Sequence, residues 1–504
     1  MIVDFRPPLD PAVDAVHHAR AAAQNAAVAE DAIGQLRDAL SGATELRRIL
    51  LKAAAGAGKS YVLKRLVADA IEHPKCLRVG VIAFQNRQIW PLAASLGAII
   101  GKDAVCLFVS QDRYGDVPAE VHANAHVVTT TSAIPEDCAV IVSTSHKLGA
   151  PSERSRMLDR FGVGANGDAP FDVLFVDEAW QLPHHLFDRA VKFAPIAVGV
   201  GDVGQLPPLE IGSNPWRGDS GYNPYRAWPT EYADDHDAIW TAELPAVWRP
   251  TAQQLPLWRA FYPEWAELNC VAAPGDRRLV VPGLSGLAEA VWQQVGTGVP
   301  TLLEVDGLRE AEAADVDLPL MEFIESLLED LFAARLSLEW QHYDDAGTPT
   351  GETLVSRPGE SAEPLVVVLA TRNQAVDDAT DAVERLRKKH GLSETDLAAS
   401  TVDSWQGQTN GITVAVHPLT GAAALDEFNS AFGRLAVTCT RATHGLLMVS
   451  RPGLDQLLGE APARPGTPFG EPGTRHLPRQ THQRILATFA RGRVDVTASG
   501  AHTQ

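Results

Sequence analysis

Apolar positions in this chain come in short runs. "RRILLKA" (47–53), "LRVGVIAF" (77–84), "CAVIVSTS" (138–145), "DVLFVDEA" (172–179) and "PIAVGVGD" (195–202) are each β-rich, and several precede stretches of helical composition. Short buried runs alternating with helices predict a parallel sheet with helices on both faces. The pattern resumes at "EPLVVVLATRN" (363–373), ahead of a charged helical stretch, "QAVDDATDAVERLRKKHG" (374–391). "ITVAVHP" (412–418) and "GLLMVSRP" (445–452) supply further strands. The chain thus reads as two α/β units joined near residue 243. Residues 9–40 are alanine-rich and predict a leading helix. "LPLMEFIESLLEDLFAARL" (318–336) predicts an amphipathic helix packed on the second unit. Residues 209–240 are rich in Gly, Pro, Trp and Tyr and read as a long ordered loop. Residues 461–478 read as a Pro/Gly-rich linker, and "RQTHQRILATFARGRV" (479–494) as a short basic helix in a tail.

Composition adds limits. The 504 residues are 45% hydrophobic and 21% charged, an ordinary globular mixture long enough for two to four domains. A net charge of −20 argues against a protein that coats nucleic acid or anionic membrane with its whole surface. A local basic cleft stays open. The five cysteines, Cys76, Cys106, Cys138, Cys270 and Cys439, are scattered and form no C-x-x-C pair. They read as free thiols in a reducing, cytoplasmic setting. The N-terminal "MIVDFRPPLD" shows no signal-peptide pattern, and no apolar run approaches about 18 residues, so no membrane partner is expected.

Candidate chemistry begins at "LLKAAAGAGKSYVLKRLV" (50–67). It is an apolar strand, a Gly-rich loop and a helix, the setting a phosphate-binding loop requires. Gly56, Ala57 and Gly58 would turn successive N–H groups toward phosphates, and the helix N-terminus adds a favourable dipole. Lys59 would meet the β- and γ-phosphates of ATP, and Ser60 would ligate Mg²⁺. Ala53 stands where the usual loop pattern has glycine, which is tolerable if its backbone angles are ordinary. In "DVLFVDEAWQL" (172–182) the strand delivers Asp177 and Glu178 to its carboxyl end, where ligands gather in open parallel sheets. Asp177 suits Mg²⁺, and Glu178 suits activation of an attacking water. "VGVGDVGQLPPLE" (198–210) brings Gln205 to a third strand end, with an amide able to donate to a phosphate oxygen.

In this order, A-x-x-G-x-G-K-S, V-D-E-A-x-Q and G-D-x-x-Q-L-P-P resemble motifs I, II and III of superfamily 1 helicases. The "DEAWQ" and "GDVGQLPP" forms are similar to the B-type branch, which includes the nonsense-mediated-decay RNA helicase and its DNA-directed relatives. "LPAVWRPT" (244–251) resembles motif IV through Trp248 and Arg249. "STVDSWQGQTNGITVAV" (400–416) resembles motif V through Asp403, Ser404, Gln406 and Gly407. "RLAVTCTRATHGLLMV" (434–449) resembles motif VI, with Arg434 at its start and Arg441 at its centre. Residues 250–360 match nothing nameable. The resemblance implies two tandem RecA-like P-loop NTPase domains, α/β in class: 1–243 with the ATP loop, 244–460 with motifs IV–VI, and 461–504 as linker and tail.

It further implies an ATP- and Mg²⁺-dependent helicase or translocase moving 5′ to 3′ on single-stranded DNA or RNA, with DNA favoured. Glu178, Gln205, Arg249 and Arg441 would be catalytic, the arginines as fingers on the γ-phosphate. Gln35 would read adenine, and Gly407 would line the ATP site. Thr144, Ser145, Arg372, Asn373 and Trp405 would contact nucleic acid, with Trp216 and Tyr222 as further stacking candidates. A protein partner could use the C-terminal tail. Two rival readings stand beside this one. An ATP-gated binding module without unwinding fits the acidic charge. A small-molecule P-loop kinase explains motif I and leaves Gln205, Arg249, Gln406 and Arg441 without a role.

Overall fold

A computed structural model describes residues 3–9, 14–204, 208, 223–232, 238–265, 267–313, 316–371, 373–425, 429, 432–461 and 478–497. The chain forms two compact units. One runs from Gln24 to Leu244; the other joins Met1–Ala23 to most of the chain from Pro245 on. The leading helix, His18–Ser41, contributes residues to both.

The Gln24–Leu244 unit is built on eight strands. They are β1 (Arg48–Ala53), β2 (Val79–Ala83), β3 (Val105–Phe108), β4 (His126–Val128), β5 (Val140–Thr144), β6 (Val173–Asp177), β7 (Ile196–Gly201) and β8 (Ile239–Leu244). All pair in parallel, in the order β4-β3-β5-β2-β6-β7-β1-β8. Parallel neighbours need crossovers, and helices such as Lys59–Glu72 and Asn86–Ile100 provide them. β2, β6 and β7 are buried along their whole length, which explains their near-continuous apolar sequences. The core gathers Phe108, Phe171, Phe175, Phe187, Phe193 and Trp228, all fully or nearly fully buried. Trp228 lies inside the span read as a long loop, and it stacks on Phe187 with centroids 3.9 Å apart.

Among the described residues, the second unit holds three sheets. β9 (Ala246–Val247) pairs in parallel with β10 (Asn269–Cys270). β11 (Arg277–Val280) forms an antiparallel sheet with β13 (Ser337–Tyr343) and β14 (Pro349–Ser356). The main sheet has six parallel strands: β12 (Thr301–Asp306), β15 (Val366–Ala370), β16 (Leu397–Thr401), β17 (Asn410–Val416), β18 (Ala442–Ser450) and β19 (Ala490–Asp495). Their order is β16-β15-β17-β18-β12-β19. The helix Leu318–Ala333 buries Leu320, Ile324, Leu327, Leu328 and Leu331 in this unit's core, together with Val383 and Leu386 of the helix Asn373–His390.

The fold class is the expected one: α/β, with two parallel sheets of eight and six strands flanked by helices. Several strands escaped the pattern reading. Residues 490–495, read as a basic tail, form β19 at the sheet edge beside β12. Alternate residues of this strand are buried while Arg493 and Asp495 face out. An edge strand with one wet face carries charge at every second position, so its composition looked like a solvated tail. The leading helix starts at His18, several residues later than read. Among the described residues, no helix is long and apolar enough to cross a membrane.

Candidate nucleotide site

β1 ends at Ala53 and the chain turns through Gly56 and Gly58, whose φ values are 74° and 93°. An L side chain is strained there, so the loop needs glycine at both positions. Ala53 is fully buried and is absent from the positive-φ residues, so its methyl costs no backbone strain. Ala57 N–H donates to the Ala54 carbonyl at 3.0 Å, which tightens the turn. The helix Lys59–Glu72 begins at once, with Gly58 as its N-cap, and Ser60 stands exposed on the first turn.

β6 lies one strand away from β1, with β7 between them. Its last residue is Asp177, and Glu178 follows with φ 50° and ψ 48°. Left-handed backbone at a residue other than glycine costs about 1–2 kcal/mol. The turn is accommodated by glycine on the neighbouring strand. A Cβ at Gly201 would lie 2.8 Å from the Ala179 nitrogen, and one at Gly199 would lie 2.7 Å from the Trp228 ring. The alternation V-G-V-G in β7 therefore makes room for the turn that carries Glu178.

This packing brings the loop and the acidic pair together. Lys59 Nζ donates to Glu178 Oε1 at 2.6 Å, and both side chains are 12% exposed. The other carboxylate oxygen of Glu178 is buried and has no hydrogen-bond partner among the described residues. Asp177 accepts from the Glu178 N–H at 3.0 Å. Burial and the adjacent Glu178 carboxylate push the Asp177 carboxyl up to about 7, while Lys59 pulls it down. A dry carboxyl beside a second one is a place where added positive charge is favourable. The donor set suits Mg²⁺ carried by a nucleotide. Such an ion would take one or two protein oxygens, for which Ser60 and Asp177 are the candidates, and draw the rest from phosphates and water.

Two contacts here were not foreseen. Asn25, on the leading helix, donates its amide to the Ala57 carbonyl at 2.9 Å in a buried setting. Gln88 donates to Gln181 Oε1 at 3.1 Å, while Gln181 Nε2 is buried and unbonded among the described residues. Gln35 donates to Asp31 on its own helix. It lies ten residues beyond Asn25, about 15 Å along the axis, so the helix reaches the loop through Asn25. Gln205, Trp216 and Tyr222 lie outside the described residues.

In the second unit, Arg249 and Arg441 converge on Thr440. Arg249 Nη1 donates to its carbonyl at 3.0 Å, and Arg441 Nη2 to its hydroxyl at 3.0 Å. Arg441 also donates from Nε to the Val437 carbonyl at 3.1 Å, and the residue is only 1% exposed. Gln408, next to the exposed Gly407, accepts from Arg441 at 3.5 Å. Arg434 pairs with Asp403 at 3.3 Å, so the motif V and VI segments meet. Arg277, missed from sequence, braces this region. Its guanidinium donates to the carbonyls of Trp248 (2.7 Å), Thr443 (3.0 Å) and Arg249.

The candidate nucleic-acid residues are used locally. Thr144 Oγ1 accepts from the Lys147 N–H and caps the helix Ser145–Leu148. Ser145 is 1% exposed, too buried to touch a strand in this conformation. His146 beside it is exposed, and Lys147 donates to the Thr129 carbonyl. Trp405 is half-buried and donates its indole N–H to Asn410 at 3.0 Å. Asn373 begins the helix Asn373–His390; its side chain and all of Arg372 lie outside the described residues.

No protein-family model matches the sequence, and no curated protein matches it. Solved structures do resemble it. The PRRSV helicase aligns over 83% of this chain and 56% of its own, with 15% identity and a TM-score of 0.37. Arterivirus nonstructural protein 10 (helicase) in complex with DNA aligns over 84% and 65%, at 14% and 0.36. The DUF1998 helicase MrfA bound to DNA aligns over 90% and 51%, at 9% and 0.41. The chain thus spans about half to two thirds of the length of these helicases. At these values the similarity bears on no single residue and no activity.

Proposed function

We propose that this chain is an ATP-dependent motor that tracks single-stranded nucleic acid, DNA in preference to RNA, in the manner of superfamily 1 B-type helicases. The observation that carries the reading is the Lys59–Glu178 contact at the carboxyl ends of β1 and β6, beside a glycine loop at a helix N-terminus. Lys59 is placed to exchange Glu178 for a γ-phosphate oxygen. Glu178, once released, would be a free carboxylate able to take a proton from the attacking water. Bound Mg²⁺, held through Ser60 and Asp177, would neutralise phosphate charge. Arg249 and Arg441 are the proposed stabilisers of the leaving charge. To act they must give up their bonds to Thr440, so stimulation by nucleic acid is expected to include that exchange.

ATP hydrolysis by the purified chain, with single-stranded DNA or RNA of equal length, tests the reading. Expected is turnover that either polymer raises, DNA more than RNA, followed by displacement of a 5′-tailed duplex. Absence of any ATP turnover would sink it. The burial of Arg441 supports a second reading, an ATP-gated clamp that binds without unwinding. Stimulated ATPase with no strand displacement on either tail would favour the clamp.

A further inference from the structure

The leading helix presents a run of small and apolar residues to the Gln24–Leu244 unit: Ala29, Ala32, Ile33, Leu36 and Leu40 are all buried. Asn25 continues that face one turn earlier and is itself only 6% exposed. A polar amide there is unfavourable on two counts. Asparagine is a poorer helix former than the surrounding alanines, and a buried amide is costly unless bonded. Its bond to the Ala57 carbonyl, at 2.9 Å, offsets the second cost and shows what the residue holds.

What it holds is the peptide between Ala57 and Gly58. A trans peptide is planar, so its carbonyl and N–H point in opposite directions. Fixing the Ala57 oxygen toward the helix therefore fixes the Gly58 N–H away from it. On the glycine side the Gly58 carbonyl accepts from the Tyr61 and Val62 N–H groups, which fixes the following peptide and not this one. A Cβ built on Gly58 would meet nothing within 4 Å, so no neighbouring group crowds that side of the residue. On the other side Ala57 is 1% exposed and its N–H donates to the Ala54 carbonyl, so the residues beside the peptide are held and the Asn25 bond fixes the carbonyl between them. If this peptide turned over, a carbonyl would replace an N–H on the face where an anion would sit, and the loop would repel phosphate.

The geometry points to Asn25 as a positioning residue that presets the Ala57–Gly58 peptide for nucleotide phosphates. The inference rests on the reading of this loop as an ATP site. Asn25 touches no phosphate in this account; it acts through the loop backbone. Its effect falls on nucleotide affinity more than on the rate of the chemical step, because Lys59 and Glu178 keep their own contact.

Asn25→Ala and Asn25→Asp separate the possibilities. Asn25→Asp keeps the shape and replaces the donor by a carboxylate facing a carbonyl, and it stands in if the alanine variant does not fold. The probe is Mg·ADP, titrated by calorimetry, with ATP turnover followed in parallel. The wild type should bind Mg·ADP, and Asn25→Ala should bind about tenfold more weakly, the effect of one lost buried hydrogen bond. Asn25→Asp should be weaker still. KM for ATP should rise by a similar factor while kcat at saturation falls less than about threefold. A purely structural role would lower the melting temperature and leave Mg·ADP affinity of the folded fraction unchanged. Unchanged affinity in a folded Asn25 variant, with the wild type binding normally, overturns the inference and spares the ATPase reading. A wild type that binds no Mg·ADP overturns both.

Discussion

The two parallel-sheet units treat their candidate residues differently. In the Gln24–Leu244 unit the pieces are already in contact: the Gly56–Gly58 loop, Lys59 and the β6 carboxylates meet at the carboxyl ends of β1 and β6. In the second unit Arg249 and Arg441 are bonded inward, to Thr440 and Val437. A phosphate loop can be preformed because its N–H groups and lysine lose little by waiting beside a carboxylate. A guanidinium meant for a transient charge is better satisfied elsewhere until that charge exists. On the proposed reading, the first unit would bind nucleotide and the second respond to it.

The largest test of this contrast is at Lys59 and Glu178. Lys59→Ala or Glu178→Gln should each lower nucleic-acid-stimulated ATP turnover by about 10²–10³-fold. Circular dichroism and melting should stay near wild type, since the pair is one contact at the carboxyl ends of the strands and outside the apolar core. Turnover above about a tenth of wild type in either variant would break the first half of the comparison.

The second test sets Arg441 against Arg249. Arg441→Ala removes several bonds from a residue 1% exposed and should cost about 3 kcal/mol in denaturant unfolding. Arg249→Ala removes a partly exposed bond to Thr440 and should cost about 1 kcal/mol. Both should depress stimulated turnover. Equal stability losses would mean that the burial difference carries no weight.

Next comes the space under Glu178. Gly201→Ala drives a methyl against the Ala179 backbone and should destabilise by about 1–3 kcal/mol. Because the displaced turn carries Glu178, ATP turnover should fall with it. A fully active Gly201→Ala would show that the turn has slack.

The smallest effect is an acid sensitivity of the second unit. Burial holds the imidazoles of His417 and His444 down to about 3, with help from His482 and Arg277 respectively. Their folded pKa values lie below the unfolded ones, so they bind protons on unfolding. Their contribution to stability is full above about 6.5 and is lost as pH falls toward 3. The protection of amides along β18, taken relative to their intrinsic exchange rate at each pH, should therefore fall below pH 6 before that along β1. His444→Gln should flatten the slope, measured by the same exchange.

Much of this was legible in sequence, for a physical reason. Strands buried on both faces, such as β6 and β7, are continuous apolar runs, and a glycine loop between strand and helix is a local pattern. Lys59, Asp177 and Glu178 could be singled out because each sits at a strand or helix terminus, where chain direction alone sets its place. β19 was missed because one wet face mixes charge into the strand. Ser145 was chosen by analogy of position, and only its 1% exposure shows that the side chain turns inward.

The sequence alone determined the fold class, the phosphate-type loop and the order of the acidic strand ends, since periodicity and loop chemistry are local. Tertiary structure alone decided that Lys59 waits on Glu178, that β7 glycines make room for the turn, and that Asn25 rather than Gln35 reaches the loop. Those facts depend on which distant segments share a few ångströms, and no spacing along the chain encodes that distance.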